Sequence, residues 1–264
     1  MKSKKLRYHT FDMDDNLLHL KSFIHLYKDG KLHKLSTSEF ALKRKDPSYS
    51  PPNGIWEDAF IEFRDNKSKT NFLTIVKKAI KENSYAPSFD KFKKCLIGGH
   101  LFAIITARGH HSSSIRKAIK HIITDVLTPS ERRVMLSNLR KFAKDFDCKL
   151  TNKELIKKYL NECEFVGVSH PDYVNKFKTL GANSPEEGKK MALKYFTSRV
   201  HEFHQKLLKK YNQVDVSLGF SDDDNGTIKA VKELFENELS KTHKKIKFVV
   251  YDTSSKEVKK EIIK

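Results

Sequence analysis

Tyr8-His9-Thr10-Phe11-Asp12-Met13-Asp14-Asp15-Asn16-Leu17-Leu18 is the stretch on which the fold turns. A β-prone apolar run ends in three carboxylates. Near the end of an extended segment, residues two apart point to the same side. Asp12 and Asp14 so placed repel each other unless a cation or a proton lies between them. A plain acidic turn with an Asx-type cap is the alternative, and the rest of the chain decides between the two.

Working outward, residues 6–11 read as a strand that delivers the acidic cluster at its C-terminal end. Leu101-Phe102-Ala103-Ile104-Ile105 is a continuous apolar run closed by Thr106-Ala107-Arg108-Gly109. Residues 214–220 form a second such run, closed by Ser221-Asp222-Asp223-Asp224. Unbroken apolar runs mark strands buried on both faces of a parallel sheet. Residues 165–168 and 246–251 are further strands. Between them lie helix signals: Asn71 before an i, i+3, i+4 apolar pattern, Ser112–Ser114 as N-caps, and capping boxes at Thr128/Glu131, Thr151/Glu154 and Ser184/Glu187. Alternating strands and helices predict an α/β fold, a Rossmann-like core with a mostly parallel sheet flanked by helices.

Ligands of such sheets bind outside the carboxyl ends of the strands. The three polar strand ends therefore converge on one site. Carboxylates from two strand ends form a hard-oxygen set suited to Mg²⁺, with Asp12, Asp14, Asp222 and Asp223 as candidate ligands. The spacing leaves open which of Asp222 and Asp223 binds metal directly. The helix opened by Ser184 carries two lysines in its first turns, Lys189 and Lys190. Lys189 precedes Ala192, Leu193 and Phe196 by three, four and seven residues and so faces inward, with Lys190 its rival.

Residues 1–19 and 96–264 are expected to form the core, with 20–95 an inserted α+β cap or lid and a helical elaboration near 125–163. Inside the insertion, Asp29-Gly30 between two extended arms signals a hairpin over 23–35. A Pro-rich loop covers 44–54. Trp56, Phe60 and Phe63 read as the small core of the cap rather than as a base-stacking lid. His201 and His204, three apart with no partner cluster, do not suggest a metal site.

Lys+Arg number 52 against 33 Asp+Glu in 264 residues, a formal net charge of +19. That balance favours an anionic partner, either a phosphorylated small molecule or nucleic acid; lysines that merely coat solvated helix faces are the plain alternative. Cys95, Cys148 and Cys163 are odd in number and widely spaced, which suits a reducing compartment and no disulfide scaffold. No signal core follows the basic N-terminus and no run of about 18 apolar residues occurs, so a cytoplasmic protein without a membrane partner is expected. Oligomeric state leaves no trace in the sequence.

At these motifs the chain resembles the haloacid dehalogenase superfamily of Asp-nucleophile phosphohydrolases. The resemblance covers residues 6–19 and 95–255. It rests on Phe11-Asp12-Met13-Asp14-Asp15-Asn16-Leu17, on Ile104-Ile105-Thr106, and on Leu218-Gly219-Phe220-Ser221-Asp222-Asp223, in the family's order. Asn16 stands where the family has Thr or Val. The resemblance implies a Mg²⁺-dependent phosphatase that cleaves a phosphomonoester through an aspartyl-phosphate. Asp12 would be the nucleophile and Asp14 the general acid/base. Thr106 and Lys189 would bind the phosphoryl oxygens, Arg108 would touch substrate phosphate, and Asp222 or Asp223 would complete the Mg²⁺ shell. A nucleotide or nucleic-acid-end phosphatase, and a non-catalytic basic binding protein on the same fold, are the alternatives.

Overall fold

The computed structural model describes residues 3–65, 71–144, 150–209, 211, 213–255 and 257–263. Cys148, and the parts of the expected insertion and helical elaboration at 66–70 and 145–149, lie outside the described residues. In chain order the strands are β1 (Ser3–Phe11), β2 (Ile24–Lys28), β3 (Lys31–Leu35), β4 (Phe102–Thr106), β5 (Glu164–Gly167), β6 (Gln213–Asp222), β7 (Ile246–Asp252) and β8 (Lys259–Ile263). The helices are α1 (Thr37–Lys43), α2 (Trp56–Ala59), α3 (Phe72–Lys81), α4 (Phe89–Gly98), α5 (Ser112–His121), α6 (Pro129–Lys144), α7 (Asn152–Glu162), α8 (Pro171–Lys178), α9 (Pro185–Leu208) and α10 (Asn225–Leu234).

Six strands form one sheet in the order β5-β4-β1-β6-β7-β8, parallel throughout except for β8, which runs antiparallel to β7. From β1 the chain builds outward through β4 to β5. It then returns to the other side of β1 and lays down β6, β7 and β8. The order thus reverses between β1 and β6, which makes that junction the switch point where a doubly wound sheet opens a crevice.

Strand alternation assigns side chains to two apolar layers. Phe102 and Ile104 of β4 join one cluster, and Ala103 and Ile105 join the other. The first layer draws on α3 to α7 through Phe72, Phe92, Ile115, Met135 and Tyr159. The second draws on α8, α9 and α10 through Phe177, Leu193, Phe196 and Val231. The first layer takes no residue from β6, β7 or β8; on that half of the face α4 reaches Ser221 through Ser88 and Tyr251 through Lys91, Val249 is buried, and Lys247, Lys260 and Ile262 are exposed.

A small third cluster, Ile24, Leu26, Leu35 and Ala59 with Phe40, Tyr49, Phe60 and Phe63 against it, unites the β2–β3 hairpin with α1 and α2. Phe60 meets Phe40 and Phe63 edge to face at 5.3 and 6.0 Å. The hairpin closes through Asp29 and Gly30, at φ 51° and 71°, the left-handed pair a tight hairpin demands. Of the expected insertion, only residues 24–63 form this separate core, whereas α3 and α4 belong to the first layer of the sheet.

The capping signals operate as side chains. Asn71 accepts from Thr74 N, Thr128 and Glu131 cap reciprocally, and so do Thr151 and Glu154. α5 differs: the cap is the His111 ring, which accepts from Ser113 N, rather than a serine. Two elements lack the expected patterns. α8 is short, with one fully buried residue, Phe177. β8 is an edge strand whose Lys259, Lys260 and Glu261 break the apolar alternation, as charges on sheet edges commonly do. Among the described residues no helix is long and apolar enough to cross a membrane.

Phe92 is fully buried on α4 and meets Phe11 of β1 at 5.3 Å and Phe102 of β4 at 5.2 Å, edge to face. Phe92→Ala should therefore cost about 3–5 kcal/mol, read by urea unfolding. A loss below about 1 kcal/mol would show that α4 does not seat β1.

Candidate active site

β1 ends at Phe11, which pairs with Ser221 of β6 on one side and Ile104 of β4 on the other. The residues just beyond, Asp12 and Asp222, therefore leave adjacent strands at the same level. Asp12 N donates to Ser221 O at 3.0 Å and fixes that level. Thr106 closes β4 on the other side of β1 and is buried, its Oγ1 accepting from Arg108 N at 3.4 Å.

Lys189 comes from the second turn of α9, whose start is set by Ser184 accepting from Glu187 N. Its side chain is buried, and Nζ donates to Asp222 Oδ2 at 2.8 Å and lies 3.2 Å from Asp12 Oδ1. Lys190 is turned half outward, so the inward lysine is Lys189. Asp12, Asp222 and Asp223 bring carboxylate oxygens within 4.8 Å of one another. Asp222 is fully buried and Asp223 half-buried, and both belong to this cluster.

Three carboxylates face one ammonium, and the charges do not balance. Burial raises the Asp12 carboxyl well above its ordinary value; Lys189 opposes this, while Asp222, Asp14 and Asp223 add to it. Asp223 is pushed up to about 7 by burial, then by Asp222 and Asp15. Burial alone would lower the Lys189 ammonium, but Asp12 and Asp222 hold it above its usual value. Asp12 Oδ1 is buried and has no hydrogen-bond partner, with the Lys189 ammonium 3.2 Å away. An unfilled carboxylate oxygen within an acidic trio is a donor set that fits a hard divalent cation.

Asp14 does not join the trio. Arg108 forks onto it, with Nε to Oδ2 at 2.7 Å and Nη2 to Oδ1 at 2.6 Å. The guanidinium also donates to Ser22 Oγ at 2.9 Å, rests over the rings of Phe63 and Phe72, and is 1% exposed. Arg108 thus faces Asp14 and the third core rather than open solvent. The neighbouring His110 is also buried and packs its ring at 4.6 Å from that of Phe72.

A buried polar knot backs the site, and no sequence signal announced it. Asn16 Nδ2 donates to Ser221 Oγ at 3.0 Å and Thr253 Oγ1 at 2.8 Å. Ser88 Oγ meets Ser221 Oγ at 2.6 Å, and Thr253 Oγ1 donates to Asp222 O at 2.8 Å. The loop after Asp12 is thereby tied to β6, to α4 and to the end of β7. Asp15, at φ 51°, turns outward to His19 Nδ1 at 2.7 Å and Thr37 Oγ1 at 3.4 Å. It links the acidic loop to α1. Asn16 and Asp15, polar positions without a motif role, thus serve as anchors.

No model of a known protein family matches this chain, and comparison with curated proteins and with solved structures returns no match.

Arg108→Met should destabilise by about 3–5 kcal/mol, because it strands a partly buried carboxylate. Adding Asp14→Leu should recover much of that loss in urea melts; a double variant no better than the single one would refute the pairing. A second expectation concerns pH. A carboxyl with a raised folded value stabilises the fold while protonated, and that stability fades as pH rises from about 4 through about 7. Without divalent cation, wild type should therefore lose melting temperature relative to Asp223→Asn between about pH 5 and pH 8, by a few degrees. Mg²⁺ should restore wild type at the higher pH and leave the variant unmoved. Parallel pH curves for the two proteins would contradict this.

Proposed function

We propose that this chain is a Mg²⁺-dependent phosphohydrolase that cleaves a phosphomonoester through an aspartyl-phosphate, on a haloacid dehalogenase-like core with residues 24–63 as cap. The observation that carries the reading is the meeting of Asp12, Asp222, Asp223 and Lys189 at the ends of the adjacent strands β1 and β6.

Asp12, Asp222 and Asp223 would hold the cation, which supplies charge neutralisation to a phosphoester dianion that otherwise repels a carboxylate. Asp12 is the nucleophile: its carboxylate stands at the β1 end beside Asp222 and Asp223, with the Lys189 ammonium 3.2 Å from Oδ1. The bond from phosphorus to the alcohol oxygen breaks as the aspartyl bond forms, and water later hydrolyses that acyl phosphate. Lys189 keeps Asp12 and Asp222 oriented and offers its positive charge to the phosphoryl oxygens. Thr106 supplies a hydroxyl at the neighbouring strand end. Asp14 protonates the leaving alkoxide and later takes the proton of the attacking water. Its carboxylate is positioned by the Arg108 fork, so proton transfer requires one of those two hydrogen bonds to yield. Arg108 therefore serves as a positioning residue for Asp14 in this reading, rather than as a substrate ligand.

Purified chain should hydrolyse p-nitrophenyl phosphate only when Mg²⁺ is supplied. Asp12→Asn should abolish turnover, at least about 10³-fold, while keeping the wild-type circular dichroism and melting profile. Undiminished turnover in that variant would sink the mechanism.

A further inference from the structure

The half of the sheet outside the first apolar layer carries a pattern the phosphohydrolase reading does not use. Register places Arg7, Ser217 and Lys247 in one row across β1, β6 and β7. His9, Gly219, Val249 and Ile262 form the next row, and Phe11, Ser221, Tyr251 and Lys260 the one beyond. These side chains share the face of Phe11, which belongs to the first apolar layer. That layer stops at β1. α4 walls the strip on one side, and from it Lys91 places Nζ over the Tyr251 ring. From Tyr251 to Lys247 the strip runs about 13 Å along the strands.

The charges here are of one sign. Among the described residues Arg7, Lys91, Lys247 and Lys260 enter no ion pair, whereas lysines elsewhere, such as Lys93, Lys194 and Lys232, do. Asp215 is the acid on this face of β6, and it lies at the far end beside Lys5. Lys91 is drawn down to about 8, by burial first and then by Lys260, Arg7 and Lys94. His9 is lowered to about 3 by burial, then by Lys91, His100 and Arg7, so it adds no cation. Between the cations lie a half-buried ring, Tyr251, an exposed apolar side chain, Ile262, and a buried one, Val249.

We infer that this strip binds single-stranded nucleic acid, its cations on the phosphates and Tyr251 under a base. Uncompensated cations spaced along strands match a phosphodiester chain. The interleaved ring and apolar surface match unstacked bases, which a duplex keeps hidden. Lys91 moves from the ring to a phosphate and leaves the ring face to a base. The strip begins one residue short of Asp222, but the inference stands independently of any chemistry there.

The test is fluorescence anisotropy of the full chain with a labelled oligothymidylate, without divalent cation and in an Asp12→Asn background. Binding should weaken linearly in log affinity with log salt. Lys91→Ala and Lys260→Ala should each weaken it about 3- to 10-fold and flatten the salt slope by about 0.7. Tyr251→Leu should weaken it about fivefold or more with the slope unchanged, its melting curve confirming that it folds. Lys153→Ala with Lys157→Ala, exposed on α7, should leave binding unchanged. The inference is overturned if the α7 pair weakens binding as much as the strip variants. It is equally overturned if a duplex of the same length binds as tightly as the single strand. Absence of binding at low salt, or a sedimentation mass showing that the strip pairs two copies of the chain, would also overturn it.

Discussion

One buried ammonium holds the centre of the molecule together. Lys189 Nζ lies between Asp12 of the β1 end and Asp222 of the β6 end. At such separations each carboxylate–ammonium attraction is worth several kcal/mol at an effective dielectric of about 20. Removing the lysine alone would leave two buried carboxylates without a counter-charge. Yet one ammonium offsets one carboxylate, and Asp223 adds a third. Burial first, and the residual negative charge after it, lift Asp12 and Asp223 above their ordinary carboxyl values. The interior has been arranged for more positive charge than its side chains provide. A proton meets that need at low pH; in the phosphohydrolase reading proposed above, a divalent cation would meet it at neutral pH.

The sheet topology is what makes the arrangement reachable. Because β6 returns to the far side of β1, two acidic strand ends separated by more than 200 residues emerge side by side. The Asn16–Ser221–Thr253–Ser88 knot then locks four chain segments beneath them. Buried hydroxyls and amides of this kind are strongly bound only when partnered, and here nearly every one is. The exception, Asn16 Oδ1, has no partner among the described residues.

The readable part of this architecture was the part written in local pattern. Unbroken apolar runs gave β4 and β6, Asp29-Gly30 gave the hairpin, and the capping boxes gave helix starts to within a residue. Lys189 was legible because helical periodicity pointed it inward. What local pattern does not encode is pairing across distance. Arg108, two residues past Thr106, looked free to meet substrate, but its partner Asp14 lies 94 residues away in sequence. The roles of Asn16, Ser88 and Thr253 depend on neighbours brought by the sheet. β8 stayed hidden because an exposed edge strand needs no apolar face of its own, and α8 because a single buried Phe177 sets no period.

The Arg108–Asp14 fork ties the acidic loop to the third core in a way that constrains both. Arg108 Nη1 donates to Glu62 O at 3.4 Å, Gly109 N to Phe63 O at 2.8 Å, and His111 N to Asp65 Oδ2 at 2.6 Å. Asp15 reaches α1 through Thr37 from the other side. The cluster of residues 24–63 is therefore fastened to the two loops that follow β1 and β4, the first carrying Asp12 and Asp14 and the second starting from Thr106. Any outward motion of that cluster would pull on Arg108 and so on Asp14. In the phosphohydrolase reading proposed above, movement of this cluster and release of Asp14 for proton transfer would be one event rather than two.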